Sequence, residues 1–329
     1  MKKSAIIVSA FCLFSLASAQ TIDVSMPKAK IEHFDISVNA GSMGIAAEAN
    51  AILNEWVGIR AGVSYMPTVN ATIGFGVQVG TEEEKKYDAN GNRIETKFEK
   101  MAGLLESIYG FKVDDRVDMA CRANWFNAKI LFDLTPYDNT DWHFTAGFYV
   151  GTRKIGHAIN TTEDMATTMA VTIYNTMYDK IEKYEPIISI PGYPNVFLPA
   201  AFEDKIYEYG RMGMHVGDFK EMGEDGKPVP YFMVPDDKST VRATAKVNAF
   251  KPYLGFGWYH QMKSYPVWSY GFDAGIIFWG GVPNVYTHDG TSLTKDVNNL
   301  KGKVGDIISL VNKFPVYPLL EVKVARRIF

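Results

Sequence analysis

The sequence predicts an all-β fold: an eight-stranded antiparallel up-and-down transmembrane β-barrel with long, partly helical extracellular loops. Three observations point there. Eight short segments alternate apolar and polar residues, the connections between them are alternately short and long, and residues 1–19 read as a secretion signal.

The chain opens with Lys2 and Lys3, continues through an apolar run from Ala5 to Leu16, and reaches Ala17-Ser18-Ala19, an A-x-A cleavage site. The apolar run is too short to cross a bilayer as a helix. Cleavage would leave a mature chain from Gln20, with 20–32 as a short periplasmic segment and 33–329 as the barrel with its loops. Removing Lys2 and Lys3 leaves 32 basic against 37 acidic side chains, a net charge of −5, which argues against nucleic acid as a partner. Cys121 is the sole cysteine after the signal, so no internal disulfide can form. With 47% hydrophobic residues, 13% aromatic residues and no long apolar run after residue 19, an exported chain of this kind crosses a membrane as a closed barrel.

The strands follow in order. His33–Gly41 sets Phe34, Ile36, Val38 and Ala40 against Asp35, Ser37 and Asn39. Gly44–Leu53 sets Ile45, Ala47, Ala49 and Ala51 against Glu48 and Asn50. The third, from Trp56, sets Val57, Ile59, Ala61, Val63 and Tyr65 against Arg60 and Ser64. The fourth ends at Leu134, with Phe126, Ala128, Ile130 and Phe132 opposite Asn127, Lys129 and Asp133. Trp142–Thr152 turns Trp142, Phe144, Ala146, Phe148 and Val150 outward. Lys246–Gln261 turns Leu254, Phe256 and Trp258 out and Lys251, Tyr253 and Tyr259 in. Val267–Gly280 turns Trp268, Tyr270, Phe272, Ala274, Ile276 and Phe278 out and Asp273 in. Val316–Phe329 sets Leu320, Val322, Val324 and Ile328 against Glu321, Lys323, Ala325 and Arg327. Trp56, Trp142, Trp258 and Trp268 fall beside the same set of short turns, as one interfacial girdle would, and Trp279 falls at the opposite end.

The connections agree with the count. With both termini periplasmic, the second, fourth and sixth connections are periplasmic turns: Asn54–Glu55, Thr135–Asp141 and Met262–Pro266, all short. The third, fifth and seventh run over 80–113, 153–245 and 281–315 and face outward. Only the first outer connection, Gly41–Met43, is short. The apolar phase of strand three continues past Pro67 through Val69, Ala71, Ile73, Phe75, Val77 and Val79. Strand four begins early, near Asp115, and its phase switches around Trp125-Phe126, which predicts a bulge there. Together they predict a ribbon rising above the membrane. The rival, an extra hairpin at Pro67–Asn70, gives an odd strand number. Helical spacing in the loops predicts helices over 163–184, after a Thr161-x-x-Asp164 capping box, over 94–109 and over 292–313. Their apolar stripes either pack on each other as a cap over the mouth or form a partner-binding groove.

The runs FDISVNAGSMGIAAEANAILNEWVGIRAGVSYMP (34–67), NAKILFDLTPYDNTDWHFTAGFYVG (127–151) and NAFKPYLGFGWYH (248–260), with the ending VYPLLEVKVARRIF (316–329), resemble small outer-membrane barrel proteins of Bacteroidota. The resemblance covers the strands and little of the loops. It implies an outer-membrane barrel without an assigned activity, seated in lipid and lipopolysaccharide. The terminal Phe329 resembles the aromatic end read by barrel-insertion machinery. Arg326 departs from the pattern, since it falls on the lipid-side phase.

The inward charges are Asp35, Glu48, Asp133, Asp273 and Glu321 against Arg60, Lys129, Lys251, Lys323 and Arg327. An eight-stranded barrel has room inside only for side chains, and charges confined there must pair. The expectation is a solid ion-pair network and no channel. Some eight-stranded lipid A deacylases use a His-x-Ser pair with a carboxylate. The nearest pattern here, His143-Phe144-Thr145, has Thr for Ser and points inward, toward an interior hydrogen bond. The remaining histidines make no metal spacing, the GFG runs at 74–76 and 255–257 are strand glycines, and Cys121 reads as packed. No cofactor is expected. The expected role is binding, adhesion or envelope integrity, carried by loops facing an unknown extracellular ligand; the alternatives are a lipid-modifying enzyme and a narrow pore.

Overall fold

The computed structural model describes residues 31–82, 84–136, 141–224 and 226–329. The predicted signal at 1–19 and the segment up to residue 30 lie outside the described residues, as does 137–140 of the predicted turn. In chain order the strands are β1 (His33–Gly41), β2 (Gly44–Asn54), β3 (Val57–Gly76), β4 (Gln78–Val79), β5 (Arg116–Leu134), β6 (Trp142–Gly151), β7 (Lys154–Asn160), β8 (Met212–Met222), β9 (Pro228–Met233), β10 (Arg242–Lys246), β11 (Phe250–Gln261), β12 (Trp268–Ile277), β13 (Asn284–Thr287), β14 (Val297–Asn298) and β15 (Tyr317–Arg327). The helices are α1 (Lys97–Tyr109), α2 (Met165–Glu182), α3 (Ala200–Tyr209) and α4 (Gly302–Asn312).

Eight of these strands close on themselves. The antiparallel order runs β1-β2-β3-β5-β6-β11-β12-β15, and β15 returns to β1 with Val38 opposite Val324. These are the eight strands that the alternation predicts. The six confined to the barrel are 9 to 12 residues long, close to what a tilted strand needs to cross a hydrocarbon layer.

The barrel is inside out relative to a water-soluble domain. Val38, Phe144 and Val322 on the outer wall are 58%, 61% and 61% exposed, while Glu48, Arg60, Asp273 and Lys323 on the inner wall are buried. An apolar exterior of this extent is stable only against an apolar surrounding. Arg326 does stand on the outer wall, and it lays its guanidinium over the Trp268 ring, 5.8 Å from the centroid. The pair lies at the end of the barrel that carries His33 and Phe329, where the cation can reach polar surroundings. Phe329 stacks on Phe34 at 5.7 Å.

β3 and β5 continue beyond the barrel as one ribbon of 20 and 19 residues, and no hairpin breaks β3 at Pro67–Asn70. The predicted bulge exists but sits in β3. Pro67 and Thr68 lie between the pairs Met66–Trp125 and Val69–Ala123, opposite Asn124 alone. The extra residue reverses the inward phase of β3: Arg60 and Ser64 face the lumen below it, Ile73 and Phe75 face a second apolar core above it. Proline suits the position, since a bulge asks for no ladder donor. β5 keeps its phase throughout. What changes at Trp125-Phe126 is the surroundings of its inward face, from polar lumen to apolar core.

The three long connections fold together on this ribbon as one cap domain. β7, β10 and β13 extend it into a sheet of order β3-β5-β7-β10-β13, and β4, β8 and β14 form a smaller sheet with β9 on the other edge of β8. Phe98 and Leu105 of α1, Val171 and Tyr174 of α2, Ile206 of α3 and Val304 and Ile308 of α4 pack with Val117, Met119, Met212 and Met214 in a continuous core. Of the two predicted uses of the helical stripes, packing into a cap is what forms.

Several local expectations need correction. Thr161-x-x-Asp164 makes no capping box; Asp164 is itself the N-cap of α2, and its carboxylate accepts from the Thr161 hydroxyl at 2.5 Å and the Asp118 amide at 2.8 Å. The reciprocal box forms at α1, where Thr96 accepts from the Glu99 amide and Glu99 from the Thr96 amide. The helix predicted over 292–313 starts only at Gly302, because Val297 and Asn298 pair with β8 as β14 and the N-cap Lys301 is extended. Lys246 belongs to β10 and not to the sixth barrel strand; 247–249 separate the two. Strands β7 to β10 and β13 of the cap sheets, and α3, are additional to the predicted elements.

A closed barrel resists detergent until boiled. The unboiled protein is expected to migrate differently from the boiled protein on a denaturing gel, and identical migration would contradict closure.

Candidate functional site: a sealed lumen and a folded cap

Arg60 is the centre of the lumen. It is 1% exposed. Its Nη1 and Nη2 donate to the two oxygens of Asp273 at 2.7 and 3.1 Å, and Nε and Nη2 lie 2.7 and 2.9 Å from the two oxygens of Asp133. It also donates to the Tyr259 and Thr145 hydroxyls at 2.8 and 3.0 Å. Asp273 takes a bidentate pair of hydrogen bonds and Asp133 one from Nη2 with its other oxygen close to Nε, a two-carboxylate contact that a lysine could not replace. Deeper along the bore, Glu48 accepts from Lys323 at 2.8 Å and pairs with Lys129; Lys129 reaches Glu321 at 3.1 Å. Asn39 bridges Glu48 and Glu321 at 2.8 and 3.2 Å.

Of the ten predicted inward charges, seven therefore form one network: Glu48, Arg60, Lys129, Asp133, Asp273, Glu321 and Lys323. Asp35 and Arg327 are 3.9 Å apart at the rim, with the arginine side chain 42% exposed. They are a rim pair, because both stand at the last register position before the strands end. Lys251 is buried but lies at the other end of the bore, where it donates to Asn127 at 2.8 Å and to the Thr152 and Ala249 carbonyls. Among the described residues no carboxylate pairs with it.

His143 and Thr145 both face this network. His143 Nε2 lies 3.2 Å from Asp273, and Thr145 donates to Asp133 at 2.7 Å. They sit inside the bore and serve the carboxylates. Gly257 leaves room for them: a Cβ there would fall 2.5 Å from His143 Nε2 and Asp273 Oδ1. The inward glycines of GFG at 255–257 are thus cut to fit their neighbours. Above the network Met43, Leu131, Tyr149, Tyr253, Ile277 and Leu319, each at most 4% exposed, close the bore with an apolar layer. Below it a vestibule of about 320 Å³ opens at the end carrying His33 and Phe329.

Trp56, Trp142 and Trp268 are exposed on the outer wall at that same end. Trp142 packs edge-on to Phe272 and Trp258 to Tyr270. Trp279 stands at the far end, as predicted, but it packs on Tyr317 at 5.2 Å and donates to the Phe314 carbonyl at 3.3 Å, so it helps seal the mouth.

The cap carries two features without counterpart in the lumen. The first is the exposed loop 184–199 between α2 and α3. Tyr184, Tyr193 and Phe197 are 92%, 73% and 53% exposed, with Ile188, Ile190 and Val196 also exposed. A bridge between Ile188 and Val196 and four prolines, Pro186, Pro191, Pro194 and Pro199, stiffen it. The second is an apolar pocket of about 350 Å³ between the five-stranded cap sheet and α4. Its floor is two register rows of small side chains. One runs Ala71-Cys121-Ala158-Ala243 and the next Val69-Ala123-Gly156-Ala245. Ile307, Ile308 and Val311 form its roof. Burial raises the Cys121 thiol above its ordinary pKa. Among the described residues no group of three or more His, Cys, Asp or Glu side chains could hold a metal ion.

No protein-family model matches the chain, and no curated protein matches it in sequence. Among solved structures, similar chains include CarO of Acinetobacter baumannii, at 11% identity over 89% of this chain and 96% of that one, with a TM-score of 0.37. Another is a major outer membrane protein from Thermus thermophilus, at 12% identity over 90% and 98%, with a TM-score of 0.30.

Two predictions follow from the lumen and one from the pocket. Arg60→Met takes the arginine from Asp133 and leaves Asp273 with Lys323 alone among the cations of the network, and is expected to cost ~3–5 kcal/mol in reversible urea unfolding from lipid vesicles. Lys251→Met strands no carboxylate and should cost clearly less; equal losses would mean the network is not what holds the lumen. In planar bilayers the intact protein should give negligible conductance, and a stable open channel would contradict the seal. Cys121 should react with maleimide more slowly at pH 7 than an exposed cysteine, and faster as pH rises past the ordinary thiol range, because only the thiolate reacts.

Proposed function

We propose that this protein is a non-conducting outer-membrane barrel whose cap domain faces the outside of the cell and binds a partner there, without catalysis. The observation that carries the reading is the division of the chain: the lumen is filled by its own ion pairs, while the long connections build a folded domain with its own core. A filled bore offers no route for a solute, and the inward His143 and Thr145 offer no nucleophile to a lipid. The apolar outer wall and the signal at 1–19 favour the outer membrane, and the runs resembling Bacteroidota barrels favour that phylum. Insertion would use the aromatic end at Phe329, and lipid and lipopolysaccharide would surround the wall.

The loop 184–199 is the part of the cap best suited to a macromolecular partner. Exposed aromatic and branched apolar side chains on a proline-stiffened loop lose little entropy on binding. Adhesion or a role in envelope integrity are both served by such a contact.

Strand parity makes the test decisive. Protease added to intact cells is expected to cut within 153–245, for instance in the exposed turn between β8 and β9, while the short connections at 135–141 and 262–266 stay intact until the outer membrane is breached. The reverse pattern would put the cap in the periplasm and end the surface-binding reading. A photo-crosslinker replacing Tyr193 should then capture a partner that Phe197→Ala weakens.

A further inference from the structure

We propose that the pocket between the cap sheet and α4 holds a single alkyl chain drawn from a lipid of the surrounding membrane. The inference rests on the reading of the barrel as membrane-embedded, and it assigns the cap a ligand separate from the partner of loop 184–199.

The pocket exists because of side-chain size. A helix lying on a sheet is normally met by large residues that fill the space between the layers. Next to the pocket this happens, where Ile73 pairs with Met119. In the two adjoining rows the sheet instead presents alanine, glycine and cysteine at every position but Val69 on the edge strand β3. Ile307, Ile308 and Val311 of α4 cannot reach down to fill the gap, and about 350 Å³ remains. That volume lies within the ~300–1,000 Å³ of small-molecule sites.

The lining decides the chemistry. Arg122, His157 and Thr244 border the pocket, but they pair with one another in the register row between the two small rows. Alternation turns their side chains to the opposite face of the sheet. What remains facing inward is hydrocarbon, with the Cys121 thiol held neutral by its burial. Water needs two to four polar partners to stay in such a space and finds none.

Shape and place select the chain and its source. Two rows lie ~7 Å apart along the strands and cross neighbours ~4.8 Å apart, so the trough is long and narrow. That form suits an extended chain better than a ring system. Its lower edge is formed by Val69, Ile155 and Trp279. Val69 stands four residues beyond Tyr65, a residue of the exposed apolar wall, or ~13 Å along the strand. The bulge turns the trough to the opposite face of the sheet from Tyr65, so it meets the membrane over the edge of β3 that no strand covers there, where Val69 is 52% exposed.

The test uses the full-length mature protein in discs of dimyristoyl phosphatidylcholine, with isoleucine and valine methyls labelled for NMR. Lipid acyl protons are expected to give cross-relaxation to the methyls of Ile308, Val311 and Val285, as well as to Val38 and Val322 on the barrel wall. Ala158→Leu and Ala245→Leu, one in each small row, should each abolish the pocket signals and keep those of the wall. Val117 and Val171 report that the cap core stays folded in both variants. Wall signals without pocket signals in the native protein would overturn the proposal, as would pocket signals that survive both substitutions. Saturable shifts on adding n-decanol, with no lipid contact beforehand, would also overturn it by assigning the pocket to a free ligand. Absence of the wall signals would strike down the membrane reading itself and the proposal with it.

Discussion

A guanidinium removed from water must be surrounded by acceptors, and in an eight-stranded barrel there is no water to spare. Arg60 solves this by drawing in a carboxylate from β12, held by two hydrogen bonds, and another from β5, held by one hydrogen bond and a close ion pair. Much of the lumen follows from that choice. Asp273 also takes the His143 ring and Lys323, so it places Tyr259 between ring and cation; Lys323 ties Glu48 into the set, and Glu48 brings in Lys129. Such a network adds little stability compared with an apolar filling of equal shape. Its use is to fix which strand stands next to which, because a register slip of one residue would put these charges into hydrocarbon.

The chain meets three different surroundings along two continuous strands. β3 and β5 pass from a lipid-facing wall with a polar lumen to a cap sheet with an apolar inner face. β5 manages this by composition alone, Lys129 and Asp133 giving way to Met119 and Val117. β3 manages it by geometry, through the bulge at Pro67 and Thr68, and so keeps its odd-numbered apolar residues useful on both sides of the junction. The same alternating sequence that faces lipid at Val63 and Tyr65 faces the cap interior at Ile73 and Phe75.

These features explain what was legible in the sequence. The barrel strands could be read because lipid imposes a strict period of two on the outer wall and confinement imposes charge balance on the inner one. The network members could be named for the same reason, apart from Asp35, Arg327 and Lys251. Those three share the inward phase but differ in height along the bore, and alternation carries no information on height. The cap was legible only in part. Its helices announce themselves by spacing at α1 and α2, whereas β7, β10 and β13 are only 7, 5 and 4 residues long and alanine or glycine dilutes the first two, so their apolar signal is faint. The same faintness hid the pocket: small residues read as weak strand, and only pairing in register turns them into a floor. Tyr259 and Thr145 were legible as inward, Thr145 with an interior hydrogen bond, but without a charge nothing marked them as the partners of Arg60.

Sealing the lumen has a consequence for where any activity can reside. A bore packed with side chains is costly to open, since each buried ion would lose its partner. Selection for function on such a scaffold then acts on the connections, which tolerate insertion because their ends are held close by the barrel. Three connections that each grew separately would be mobile and easily cut. Folded against one another on the risen ribbon, they share one core, and Val304 and Ile308 from the last connection pack with Leu105 from the first and Val171 from the second. A shared core gives rigidity to what it carries. Loop 184–199 can then hold aromatic side chains in water without collapsing onto a neighbour, and the trough under α4 can stay open. Both features would close in a loop that was free to rearrange, so the order of the cap, more than its length, is what the sealed barrel supports.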